Sequence, residues 1–247
     1  MTDGGAGKIL MTGGSGRLGT ELRAIMPNLI APSRAELDIT QPATIQAALA
    51  NYQPAALVHA AAFTDVAAAQ QHRQACWQTN VAGTRHVVQA CAQAGVFLVH
   101  ISTDYVFEGT RGQYKEDEPP GPPCNYYALS KLVAEELARL CPRHLVIRTS
   151  FRPRQWPYPV AFADVFTSQD YVDVIAPEIA LALHHLRDIP YPTLHIATHR
   201  KSVYDLARQR KADVQSGSRL TAKVPLPADV SLDITRWLDL KQQWSRT

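Results

Sequence analysis

Three glycines spaced three apart, Gly13, Gly16 and Gly19, follow directly on the apolar run Lys8-Ile9-Leu10-Met11-Thr12. Such a run reads as a short buried strand, and residues 18–25 beyond the glycines read as a helix. A strand that turns into a helix this way needs residues without side chains where the backbone approaches other backbone or a ligand. The first helical amides then point at whatever lies over the turn, which favours a pyrophosphate. The stretch therefore predicts the opening unit of a parallel α/β sheet. Gly13, Gly16, Arg17, Leu18 and Gly19 are its candidate dinucleotide contacts.

The chain after it keeps alternating. Residues 28–31 form a short second strand ending at Pro32-Ser33-Arg34. An acidic residue at that tip would hold the ribose hydroxyls of NAD, whereas an arginine accommodates the extra phosphate of NADP. Ser33 and Arg34 occupy the tip and Glu36 comes only later, which favours NADP(H), with NAD(H) left open; the plainer reading of Arg34 is a solvated side chain. Asp38 precedes a helix that carries Pro42 in its first turn and runs to Asn51, so Asp38 is either a turn residue or an adenine contact. Residues 57–62 read as a buried strand ending in small residues that let a cofactor lie against the backbone, and His59 within it reads as a satisfied core histidine. One long helical stretch is expected over residues 66–94, closed by Gly95. Strand and helix alternate from residue 8 to 148, which predicts a Rossmann-type, doubly wound parallel sheet.

Residues 96–131 hold the groups able to do chemistry. A strand over residues 96–101 leads into Ser102-Thr103-Asp104, at a carboxyl end where such sheets bind ligands. A loop rich in proline and glycine then enters a helix bearing Tyr127 and Lys131, which share a face at i and i+4. A free tyrosine has a pKa of about 10, and a neighbouring ammonium lowers it. Thr103, Tyr127 and Lys131 together form a plausible proton-transfer site for reducing a ketone.

Composition narrows the remaining classes. With 247 residues, 46% of them hydrophobic, the chain can bury one large core with a small additional lobe. A net charge of +3 without basic–aromatic runs argues against nucleic acid as a partner. Cys76, Cys91, Cys124 and Cys141 have no metal-ligand spacing and read as free thiols in a reducing cytosol, and no metal is expected. The polar stretch up to Lys8 lacks the apolar run of a signal peptide or membrane span, so a cytoplasmic protein away from membranes is expected.

These motifs together resemble the extended short-chain dehydrogenase/reductase superfamily. The resemblance rests on Gly13-x-x-Gly16-x-x-Gly19, Asp38-Ile39, residues 60–66, Asn80-Val81-x-Gly83-Thr84, residues 102–107, Asn125-x-Tyr127-x-x-Ser130-Lys131 and Arg148-Thr149-Ser150. Within that superfamily it is closest to the dTDP-4-dehydrorhamnose reductase family. The resemblance implies an NADP(H)-dependent reductase of a keto group on a nucleotide-linked sugar. Tyr127 would be the catalytic acid, Lys131 would bind the nicotinamide ribose and lower the tyrosine pKa, and Thr103 would orient the carbonyl. It also implies that Asp38 and Ile39 face the adenine, that Ala61, Ala62 and Phe63 face the middle of the cofactor, and that Asn80 is the superfamily's structural asparagine. An epimerase holding NAD, and a cofactor-binding regulatory subunit without turnover, share these motifs.

The resemblance thins after Ser150. Phe151 stands where the family has tryptophan, and Arg152-Pro153-Arg154-Gln155-Trp156-Pro157-Tyr158-Pro159 replaces the usual continuation. The prolines forbid a regular helix there. Trp156 and Tyr158 are candidates for stacking on a base or sugar, or for covering the sheet or a second subunit. Thr103, Asp104, Phe151 and Trp156 form the expected substrate set. Residues 1–150 are expected to form the dinucleotide-binding domain and residues 151–247 a short substrate region that partly returns to the main sheet, through a helix over residues 177–186 and a strand over residues 193–197. A homodimer is left open.

Overall fold

The computed structural model describes residues 7–222 and 224–246. The polar stretch before residue 7, on which the expectation of no leader segment rests, lies outside them. The chain runs β1 (Ile9–Thr12), α1 (Arg17–Ile25), β2 (Leu29–Ile30), α2 (Pro42–Tyr52), β3 (Ala56–His59), α3 (Val66–Gln71), α4 (Arg73–Trp77), α5 (Thr84–Ala94), β4 (Phe97–Ser102), α6 (Tyr126–Ala138) and β5 (His144–Arg148). It continues as β6 (Phe151–Arg152), β7 (Val160–Phe162), β8 (Phe166–Thr167), β9 (Asp170–Tyr171), α7 (Val172–His184), β10 (Thr193–His195), β11 (Lys201–Ser202), α8 (Val203–Arg208), β12 (Gln215–Gly217) and α9 (Thr235–Trp244).

Six strands form one sheet in the order β10-β5-β4-β3-β1-β2, and every pairing within it is parallel. Side chains of a strand alternate between the two faces, and the core divides accordingly. Ile9 and Met11 join a cluster with Leu18 and Leu22 of α1, Ile175, Ile179 and Leu183 of α7, and Trp237 and Leu240 of α9. Leu10 points the other way, into a cluster with Ile45 and Leu49 of α2 and Val87, Val88 and Cys91 of α5. Each fully buried aliphatic side chain stabilises the fold by about 1.5–3 kcal/mol relative to exposure. The layered, doubly wound architecture therefore follows from strands that are apolar on both faces.

The helix expected over residues 66–94 is not continuous. It breaks into α3, α4, a π-helical turn over Gln78–Gly83, and α5. Asp65 caps α3, its carboxylate accepting the Ala68 amide hydrogen at 2.9 Å. The wide turn carries Asn80 inward, where it holds both polar groups of the Phe63 backbone, accepting from Phe63 N at 2.7 Å and donating to Phe63 O at 3.1 Å. Those side-chain bonds compete with regular helical pairing. The helix expected over residues 177–186 begins earlier, at Val172, and contains Pro177 in its second turn. Between β6 and β7 the proline-rich stretch forms no helix.

α6 is tied to the sheet by charge. Glu135, fully buried, accepts from Ser102 Oγ at 2.6 Å at the end of β4 and from the guanidinium of Arg148 at 2.7 Å at the end of β5. Arg139 donates to the same carboxylate at 2.8 Å, and Arg148 also approaches His195 Nε2 of β10 at 3.3 Å. The arginines hold the Glu135 carboxyl below the usual carboxylate range against the cost of its burial.

Removing one partner of a buried pair leaves the other charge uncompensated, at about 3–5 kcal/mol. Glu135→Ala is therefore expected to lower stability by that amount in urea unfolding, with part recovered when Arg148 is replaced by Met in the same chain. A wild-type midpoint in Glu135→Ala would remove this network from the account of stability.

Candidate active site

A cleft of about 1050 Å³ opens across the carboxyl ends of the strands. It lies where the chain order reverses between β1 and β3, the place at which open parallel sheets bind ligands. Its lining runs from the glycine turn through the segment after β3, to Thr103, Tyr127 and Lys131, and on to residues 149–152 and Trp156.

The glycine end is shaped by contact between backbones. Gly13 has φ of 76°, and a Cβ there would stand 2.8 Å from Ala61 N. A Cβ on Gly19 would stand 2.5 Å from Gly13 O. The approach of Ala61 is fixed by a buried chain of hydrogen bonds. Thr84 Oγ1 donates to Asn80 O at 2.6 Å, so it accepts from His59 Nε2 at 2.9 Å. His59 Nδ1 then accepts from Thr12 Oγ1 at 2.9 Å, and Thr12 Oγ1 accepts the Ala61 amide hydrogen at 3.2 Å. Burial, aided by the charge of Lys131, pushes the His59 pKa down to about 3, so the ring serves as a neutral bridge. The N-terminus of α1 beside this turn has no side-chain cap and no acidic residue in its first turn. Its free amides and Arg17 face the cleft, and a pyrophosphate satisfies such donors. Residues and cradle thus fit a dinucleotide.

At the adenosine side, Pro32, Arg34, Leu37, Asp38, Ile39 and Thr40 line the cleft. Arg34 is largely solvated and donates to Asp38 Oδ2 at 3.3 Å, while Asp38 Oδ1 closes a turn by accepting from Thr40 N and Thr40 Oγ1. Asp38 is therefore a turn residue that also faces the cleft. Ser33 does not reach the cleft, because its amide and hydroxyl both donate to Glu36 Oε2. Ala61 and Ala62 line the cleft, whereas Phe63 and Asn80 stand behind it as a backbone clamp, with Asn80 also donating to Ser130 Oγ at 2.9 Å.

At the other end Thr103, Tyr127 and Lys131 share the cleft wall. Asn125 caps α6, its side chain accepting from Ala128 N at 2.9 Å, which sets the helix phase that turns Tyr127 and Lys131 toward β4. Asp104 lies behind the wall, buried, and accepts from Thr103 Oγ1 at 3.0 Å. Burial raises the Asp104 pKa to about 7. The expected lowering of the Tyr127 pKa does not appear. The surrounding protein first, and the Asp104 charge second, push its phenol well above the ordinary value, against the pull of the nearby Thr103 hydroxyl. Lys131 makes its bond elsewhere, donating from Nζ to Ile101 O at 2.8 Å. Burial brings Lys131 down to about 8, with Glu135 one turn along opposing the shift. The arrangement holds a protonated phenol and a buried ammonium at neutral pH, so the site is set to give a proton.

Phe151 and Trp156 both line the cleft. Phe151 also packs on the main core, and Trp156 packs with Ala161, Val165 and Val203 in the small lobe. Two charged residues at or behind the cleft wall escaped the sequence reading. Glu135, at i+4 from Lys131, carried a signal, since an acid on the inward face of a helix requires a buried partner. Arg152 carried none beyond its place next to Phe151.

Residues 7–176 match the family described as the RmlD substrate binding domain. A dTDP-4-dehydrorhamnose reductase of Streptomyces griseus is 42% identical over 118 residues, 46% of this chain and 39% of that protein. The chain spans about half the length of the curated relatives it matches. Among solved structures, a hypothetical dTDP-4-dehydrorhamnose reductase from Sulfolobus tokodaii superposes with a TM-score of 0.83 at 30% identity, covering 94% of each chain. The Bacillus anthracis dTDP-4-dehydrorhamnose reductase, solved in complex with NADP, gives 0.82 at 24% identity over 98% of this chain and 100% of that one.

A pH test follows from Lys131. Its folded pKa of about 8 lies below its ordinary 10.5, so between those values the unfolded chain binds the extra proton and stability rises with pH. Urea midpoints of the wild type are expected to gain more between pH 7 and pH 9.5 than those of Lys131→Met. Equal gains would mean that Lys131 is not held in a desolvated site.

Proposed function

This chain belongs to the RmlD substrate binding domain family, and we propose that it is an NADP(H)-dependent reductase of a 4-keto group on a nucleotide-linked sugar, dTDP-linked by preference. The observation that carries the reading is the single cleft that joins an uncapped helix N-terminus over the glycine turn to Thr103, Tyr127 and Lys131.

The bound nicotinamide supplies the hydride that adds to the carbonyl carbon. The residues do the rest. Gly13, Gly16 and Gly19 keep the turn low enough for a pyrophosphate to reach the α1 amides. Thr103 turns its hydroxyl hydrogen from Asp104 Oδ1 to the carbonyl oxygen, and Tyr127 gives that oxygen its proton as the alkoxide develops. A phenol with a raised pKa stays protonated at neutral pH, which is the state an acid for reduction requires. Lys131, fixed on Ile101 O in the same wall, holds its ammonium at the cleft, where it would bind the nicotinamide ribose. Arg34 at the cleft mouth supports NADP over NAD, because the NADP phosphate competes for it with a single long bond to Asp38.

Three measurements test this reading. NADPH oxidation is followed across a panel of nucleotide-linked keto sugars, with reduction of a dTDP-linked 4-keto sugar as the expected result; no oxidation with any member overturns the proposal. Tyr127→Phe is expected to leave folding and NADPH affinity near wild type and to lower turnover by on the order of a hundredfold or more, whereas unchanged turnover would take Tyr127 out of the reaction. Arg34→Ala is expected to weaken NADPH by about fivefold, as suits an exposed ion pair, with NADH hardly altered. The same loss for both cofactors would assign Arg34 no part in choosing between them.

A further inference from the structure

The cleft wall after β5 carries polar atoms that the proposed proton transfer does not use. Thr149 Oγ1, Arg152 Nε and Trp156 Nε1 are each shut off from solvent, and each lacks a hydrogen-bond partner. All three residues line the cleft, with Thr149 only 2% and Trp156 only 6% exposed. Buried polar atoms are nearly always paired, so three such atoms on one wall point to a ligand that pairs them.

Arg152 sits on β6 in register with Tyr171 of β9, and its guanidinium lies 5.4 Å from the centroid of the Trp156 ring. Several neighbouring cations of the same lobe have carboxylates. Arg154 pairs with Glu21 at 2.7 Å, Arg210 with Asp173 at 2.8 Å and Lys201 with Asp170 at 3.0 Å. Among the described residues Arg152 has no carboxylate in ion-pair contact. A guanidinium over an indole face keeps N–H donors free for a carboxylate or phosphoryl group. The charge of Arg152 also reaches Asp104 and Tyr105, which flank Thr103 in sequence and space. That places it at the reacting end of the cleft, away from the glycine turn.

We propose that Arg152, Trp156 and Thr149 form an oxyanion-binding subsite that selects substrates presenting an anionic oxygen group to this wall of the cleft. The inference rests on the nucleotide-sugar reading above and specifies which part of the substrate this wall holds. In a nucleotide-linked sugar the group is either a carboxylate on the sugar or the phosphoryl oxygens of the diphosphate link. Arg152 supplies the charge and a two-pronged donor, Trp156 a fixed N–H, and Thr149 a hydroxyl that rotates to suit.

Calorimetric titration of the intact chain with NADPH present tests this, using UDP-galacturonate, UDP-galactose and inorganic pyrophosphate as probes. Arg152→Gln is expected to weaken the subsite ligand by about tenfold or more. Trp156→Phe, which keeps an aromatic face but loses the indole N–H together with the fused ring, is expected to weaken it in the same direction by less, and it decides the matter if Arg152→Gln does not fold. A loss confined to UDP-galacturonate identifies a sugar carboxylate as the ligand, and a similar loss for all three probes identifies the diphosphate. Wild-type affinities for every probe in both variants, or no binding of any probe by the wild type, overturns the inference. NADPH oxidation with keto sugars is scored separately. Reduction that persists beside unaltered probe binding sinks this inference alone, and Arg152-dependent binding without reduction sinks the activity reading alone.

Discussion

The structure hangs on one buried carboxylate. Glu135 draws Ser102 at the end of β4, Arg148 at the end of β5 and Arg139 on its own helix to a single point, and through Arg148 it reaches His195 on β10. Those contacts set the depth and rotation of α6 against the strand ends, and α6 carries Tyr127 and Lys131. A buried ion pair adds little net stability compared with good apolar packing, but breaking it is costly. Its use here is positional. The carboxylate fixes where Tyr127 and Lys131 meet Thr103, and it supports the charge on Lys131 that burial opposes.

A second constraint acts at the other end of the cleft and is nearly neutral. Thr12, His59, Thr84 and Asn80 relay hydrogen bonds from β1 through β3 to the π-helical turn before α5, and Ala61 is drawn onto Gly13 as a result. The glycine turn is low because Gly13 and Gly19 have no side chains to hold the segments apart. Polar chains of this kind have one satisfied arrangement, so they define a shape more sharply than apolar contacts of the same size. The two networks meet across Asn80, which binds Ser130 on α6 as well as the Phe63 backbone. The glycine turn and the wall bearing Thr103, Tyr127 and Lys131 are therefore parts of one hydrogen-bonded frame.

The small lobe has a different character. It is built from three two-stranded pairs, β6 with β9, β7 with β12 and β8 with β11, around Trp156, Ala161, Val165 and Val203. The segment that follows Arg148 leaves the main sheet for this lobe and comes back as α7, which packs on α1, and as β10, which pairs with β5. The wall it presents to the cleft differs from the opposite one, since among the described residues Thr149 Oγ1, Arg152 Nε and Trp156 Nε1 lack protein partners.

Much of this was legible in the sequence because it rests on local rules. The strand and glycine turn at residues 8–19, the alternation of apolar strands with helices, and the shared face of Tyr127 and Lys131 each depend on spacing along a few residues. The satisfied core role of His59 was readable from its apolar surroundings. Other features depend on contacts between residues far apart in the chain, and no local pattern encodes those. Residues 66–94 looked like one helix, yet the pull of Phe63 on Asn80 opens it into a π turn. Ser33 looked poised for a cofactor until Glu36 claimed its donors. Lys131 was expected to lower the Tyr127 pKa, but Nζ is spent on Ile101 O, and burial together with Asp104 drives the phenol upward. Desolvation is a property of everything that surrounds a group, so its sign and size belong to the tertiary structure. The sequence by itself determined which residues can do chemistry and in which layer they lie, because periodicity and turn chemistry are local. Only the tertiary structure decided their protonation and their partners, because those depend on which distant groups exclude water from them.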